Sequence, residues 1–76
     1  MPTLPVISGV ECVKALQNAG FVVVRQTGSH IILRRDKPPP TRTVSVPNHT
    51  ELDRGTLRAI LRQAGLTVDE FLAFLN

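Results

Sequence analysis

The chain has 76 residues, with nine Lys and Arg against six Asp and Glu, a net charge of +3 and a pI near 10.0. That length holds one domain, residues 1–76, with a thin core, and the single cysteine, Cys12, excludes an internal disulfide, while no apolar run is long enough to span a bilayer. The cations are mostly Arg, whose planar fork suits phosphate, so the charge points either to a polyanionic partner or to ordinary solubilising surface.

Met1 to Pro5 carries neither a basic cluster nor an apolar run of the signal type. With no disulfide framework, the expected compartment is the reducing cytoplasm. Ser8-Gly9-Val10-Glu11 reads as a capping box: Ser8 is the N-cap and Glu11 stands three residues on. Val10, Val13 and Leu16 then fall on one helical face, with Cys12, Ala15 and Ala19 beside them. Gly20 stops the helix, which is expected over residues 9–19.

The β-branched run 21–27, FVVVRQT, reads as a strand. Gly28-Ser29 turns the chain, and HIILRRD, 30–36, reads as the antiparallel partner. Strand alternation sends Ile31 and Leu33 to one face and His30, Ile32 and Arg34 to the other. Pro38, Pro39 and Pro40 rule out helix or central strand and predict a stiff exposed loop. Residues 41–46, TRTVSV, predict a third strand that Pro47 ends. Asp53 is the expected N-cap of a second helix, whose stripe is Leu57, Ile60, Leu61 and Ala64 and which Gly65 closes. Thr67-Val68-Asp69-Glu70 is another capping box, followed by Val68, Phe71, Leu72 and Leu75 at helical spacing.

The order α-β-β-β-α-α predicts an α+β fold: a three-stranded antiparallel sheet with its helices packed on one face. The other face is left open, and His30 and Arg34 point to it.

Several chemistries lack their parts. Gly28-Ser29-His30 has neither the spacing nor the Lys of a Walker loop. Cys12, His30 and His49 have no zinc-type spacing, and the acids near the middle form no evident pair for magnesium. Neither a metal nor a cofactor is expected. Ser29 beside His30 is no hydrolase pair, because adjacent strand residues point to opposite faces.

His30 has two readings. It is a general acid or base at the mouth of a hairpin, or a polar residue on the solvent side of a strand. Imidazole titrates near neutral pH, so it can take and return a proton. RNA needs the least besides, since its own 2′-hydroxyl is the nucleophile. His49, in VPNHTEL, is either a second proton-transfer group or a loop residue bonded to the start of the second helix. Arg54, Arg58 and Arg62 form one stripe that binds phosphates or an acidic partner, or is simply solvated. Cys12 is most simply a core residue.

The segments SGVECVKALQNAGFVVVRQTGSHIILRR and VSVPNHTELDRGTLRAILRQAGLTVDEFLAFL together resemble the HicA toxins of bacterial HicA–HicB toxin–antitoxin modules, also described as YcfA-like mRNA interferases. The shared features are a helix leading through Gly-Phe into a strand, then Gly-Ser-His, a Val-Pro-x-His segment, Gly-Thr-Leu and an Ile-Leu-x-Gln-Ala-Gly helix. The resemblance implies a fold like the double-stranded-RNA-binding domain. It also implies a metal-independent endoribonuclease that cleaves mRNA and blocks translation until a HicB-type antitoxin, with which it could form an oligomer, covers the site. Carried onto this chain, the catalytic residue is His30, with Gly28 and Ser29 as the supporting turn. Arg25, Arg34 and Arg42 are the residues expected to hold RNA phosphate. A non-catalytic RNA-binding module on the same fold is the alternative, and a small interaction protein whose arginines face an acidic partner is a third.

Overall fold

The computed structural model describes residues 3–75, and its elements run α1 (Gly9–Asn18), β1 (Val22–Thr27), β2 (His30–Arg35), β3 (Arg42–Pro47), α2 (Arg54–Ala64) and α3 (Val68–Phe74). The strands form one antiparallel meander in the order β1-β2-β3. This is the predicted α+β architecture, consistent with a double-stranded-RNA-binding-domain-like fold.

Each helix begins where a side chain satisfies its first free backbone N–H groups. In α1, the Ser8 hydroxyl accepts from the Glu11 N–H at 3.1 Å and the Glu11 carboxylate accepts from the Ser8 N–H at 3.0 Å. The same reciprocal pair joins Thr67 and Glu70 ahead of α3, at 3.1 and 2.8 Å. Asp53 caps α2 by accepting the Thr56 N–H at 2.6 Å. Gly65 ends α2 at φ +72°, a backbone conformation that disfavours any side chain.

The core lies between the helices and one face of the sheet. Cys12 and Leu16 of α1, Leu33, Val44 and Val46 of the sheet, Leu57 of α2 and Phe71 of α3 are its largest fully buried side chains. Ile31 and Leu33 point inward as expected. Leu4 and Ile7 also join the core, because the segment before α1 runs beside the loop after β3, with the Leu52 N–H donating to the Ile7 carbonyl at 2.8 Å.

Three expectations change in detail. Val10 is 50% exposed. It lies two residues from buried Cys12, and so on nearly the opposite side of a helix whose buried stripe is centred on Cys12 and Leu16. The third strand does not stop before Pro47 but includes it as its last residue, opposite His30. An edge strand tolerates it there because no sheet partner needs its missing N–H. Phe21 lies just ahead of β1 and is buried in the core. The proline stretch 38–40 is exposed, as its composition predicts.

Candidate functional site

Thr27 and His30 are paired across a two-residue turn made by Gly28 and Ser29. Gly28 has φ +53°, and among the described residues no non-glycine has positive φ, which is the pattern of a turn with glycine in the first central position. Glycine makes that turn without steric cost, and the turn fixes His30 as the first residue of β2. A second constraint comes from far along the chain: the Asn48 N–H donates to the Ser29 carbonyl at 2.6 Å. The hairpin tip is therefore tied to the loop that follows β3.

From His30 the strand alternates. His30, Ile32 and Arg34 face away from the helices, and Ile31, Leu33 and Arg35 face toward them. On β1, Thr27 is opposite His30 and Arg25 is opposite Ile32, so Arg25 shares the outer face. On β3, Ser45 and Thr43 stand opposite Ile32 and Arg34 on that face. The sheet thus brings His30, Arg25 and Arg34 together on one exposed surface. Asp36 is the acid nearest to them in the chain. It accepts from Arg34 Nε at 2.8 Å and from the Thr41 hydroxyl at 3.3 Å, which orients Arg34 at the far end of β2. Both partners are more than half exposed, so the pair adds little to stability.

Arg42 is not brought to this surface. It pairs with Arg35, on the side of the sheet that faces the helices, and its guanidinium lies over Gly65. Arg35 is committed elsewhere too. Its Nη1 donates to the Ala19 carbonyl at the end of α1 at 3.1 Å, and its guanidinium sits 4.7 Å from the Phe21 ring centre. A cation beside a helix C-terminus and above a π-face is doubly favoured, which accounts for an Arg packed at the rim of the core.

His49 follows Asn48 in the loop after β3, two residues past the Pro47 that pairs with His30. It lines a groove of about 430 Å³ with Pro5, Val6, Glu51 and Leu52 near the start of α2. Its carbonyl accepts the Gly9 N–H at 2.9 Å, which fixes the loop against α1. The loop is thus bonded to the start of α1, not to the start of the second helix as expected. Arg54, Arg58 and Arg62 are exposed on α2, in the helical layer behind the sheet. Cys12 is fully buried, and burial pushes its thiol up to about 12, so it is no nucleophile. Among the described residues, no three His, Cys, Asp or Glu side chains gather as a metal ligand set. No described helix is long and apolar enough to cross a membrane.

The Asn48–Ser29 bond was not visible in the sequence, since nothing local in PNH announces a partner in a turn nineteen positions earlier. A surface carrying one imidazole and two guanidiniums can move a proton next to a bound anion. Its openness suits a polymer lying across the sheet better than a small enclosed ligand. Residues 9–66 match the model of a family described as HicA toxin of bacterial toxin-antitoxin. No curated protein matches the chain.

Proposed function

Because this chain belongs to the HicA toxin family, and is thereby the toxin of a toxin–antitoxin module with an antitoxin as partner, we propose that it acts as a metal-independent endoribonuclease on mRNA with His30 as its general acid–base. The observation that carries this reading is the shared exposed face of His30, Arg25 and Arg34.

RNA supplies its own nucleophile. Neutral His30 takes the proton of a 2′-hydroxyl, and the oxygen attacks the adjacent phosphorus. The P–O2′ bond forms as the P–O5′ bond breaks. The proton reaches the departing 5′-oxygen from the imidazolium, directly or through water. The products are a 2′,3′-cyclic phosphate and a 5′-hydroxyl. Arg25 and Arg34 lie where they can offset charge on the phosphate, which is worth most in the transition state. Loss of mRNA would block translation, and an antitoxin over this face would prevent it.

The test is incubation of RNA with the parent protein and with His30→Ala, both in EDTA. The expected result is cleavage to cyclic-phosphate ends by the parent and a loss of at least about a hundredfold in the variant. Equal cleavage by His30→Ala would remove His30 from the mechanism. Tight binding by the parent with the RNA left intact would mark a non-catalytic RNA-binding module instead.

A further inference from the structure

We propose that the free edge of β1, together with the groove beside it, is the docking site for an extended, acidic strand of the antitoxin partner, added to the sheet as a fourth strand. The proposal rests on the toxin reading for the existence of that partner and adds where and how it binds.

The first observation is the edge itself. β1 bonds to β2 alone, and among the described residues none of its backbone groups has another partner. Every residue of the strand is exposed, including Val22 at 63%, Val23 at 38% and Val24 at 53%. Three consecutive exposed valines on an open edge invite another strand, and natural proteins usually blunt such an edge. The β3 edge is blunted: it carries Thr43, Ser45 and Pro47 outward.

The second observation is the bulge. Counting back from the turn in a straight ladder, Val24 would oppose Leu33, and Val22 would oppose Arg35. Both would then point toward the helices. Instead the register slips between Val23 and Arg25, so that Val23 opposes Leu33 and Val22 opposes Arg34. Val22 turns outward and Val24 is left as the extra residue. Both valines then line a groove of about 620 Å³ with Gly20, Arg34, Asp36 and Lys37. The chain thus exposes apolar surface that an unbulged strand would have turned inward.

The third observation is charge, which selects the occupant. Arg25, Arg34 and Lys37 border the groove or the strand, and Asp36, the acid among them, is already held by Arg34 and Thr41. A second copy would bring the same cations and a further net charge of +3. RNA phosphates would find the cations but would have no use for the valines or the open backbone edge. A strand alternating apolar and acidic side chains uses all three: backbone to the edge, apolar groups to Val22 and Val24, and carboxylates to the cations. Such a strand, running along β1, ends beside Thr27, one strand away from His30, and neutralises Arg25 and Arg34 on the way. Inhibition then needs no contact with the imidazole.

The test uses full-length protein with Val22→Glu, Val24→Glu and, as a control at an equally exposed valine, Val10→Glu. Each is assayed for binding to the co-expressed HicB-type antitoxin, for RNA cleavage and for oligomeric state. Amide hydrogen exchange over residues 22–27 is followed with and without the antitoxin. The two β1 variants should each bind the antitoxin at least about tenfold more weakly, with cleavage retained, while Val10→Glu binds as the parent does. Amides of β1 should gain protection in the parent complex. Unchanged affinity in both β1 variants, or no gain of protection, overturns the proposal. Loss of cleavage with antitoxin affinity kept assigns the strip to RNA. A parent dimer that becomes monomeric in Val24→Glu assigns it to a second copy. A parent that binds antitoxin at β1 but cuts no RNA sinks the nuclease reading and leaves this one standing.

Discussion

Arg25 faces Ile32 across the β1–β2 ladder and so stands on the same side of the sheet as His30, whereas Arg42 faces Arg35 on the side of the helices. Two arginines that the sequence grouped with His30 keep its company, and the third does not.

Replacing Arg25 or Arg34 with Ala should weaken RNA binding and lower the slope of log affinity against log salt by roughly 0.7 to 1 for each phosphate no longer neutralised. Arg42→Ala should leave that slope unchanged and lower the melting temperature, because its guanidinium packs over Gly65. Filter binding across a salt series separates the two effects. An equal slope change in Arg42→Ala would contradict the two-face arrangement.

Gly28 and Gly9 should fail differently. A Cβ at Gly28 meets nothing within 4 Å, so Gly28→Ala suffers only from φ +53°, a cost of about 1 kcal/mol. A Cβ at Gly9 would run into the Pro47 carbonyl, so Gly9→Ala should cost about 1–3 kcal/mol by forcing α1 away from the loop. Urea denaturation of both variants gives the comparison. Gly28→Ala should also lose more RNA cleavage than its stability loss explains, because the turn presents His30.

Cys12 should be silent toward thiol reagents while the protein is folded. Its side chain has no exposed surface and its thiol is pushed up to about 12 by burial, so little thiolate exists near neutral pH. Labelling at pH 8 should be slow in buffer and rapid in guanidinium. Equal rates in the two would show that α1 does not bury this residue.

Acid should weaken the fold through its helix caps. Glu11 is held below the usual carboxylate range chiefly by the Ser8 N–H, and by the Ser8 hydroxyl. Asp53 is lowered chiefly by the Thr56 N–H, with smaller help from Gly55 and His49. A carboxyl whose folded value is depressed adds stability above its unfolded value and loses it as pH falls through the folded value. Stability should therefore decline below about pH 4. Asp53→Asn keeps an acceptor for Thr56 but cannot titrate, so part of the acid-side slope should vanish. Melting curves between neutral pH and pH 2 measure it.

What could be read from the chain alone was whatever is written locally. Ser8 with Glu11, Asp53, and Thr67 with Glu70 announced helix starts because a cap satisfies neighbours three residues away. Gly28-Ser29 announced a turn, and alternation then sent His30 and Arg34 outward. The bulge at Val24 was not legible, since three identical valines offer no sign of which one is extra. Nor was the side taken by Arg42: Thr43 and Ser45 alternate clearly with Val44 and Val46, but Arg42's place over Gly65 depends on where α2 ends. Arg35 followed the alternation, yet its bond to Ala19 and its seat on Phe21 required α1 to be docked. Val10 misled because a spacing of three extends a stripe whose true centre, at Cys12 and Leu16, only the packing defines.

Asn18 of α1 donates its side-chain amide to the Phe74 carbonyl of α3 at 2.9 Å, across 56 positions of sequence, and Phe71 of the same helix is fully buried in the core. This clasp sets an order in time. On the ribosome, the hairpin and its histidine are made well before α3, but α1 lacks its final neighbour until α3 has emerged. The nascent chain therefore completes this core only once α3 has emerged, and its partner first meets a finished surface only then.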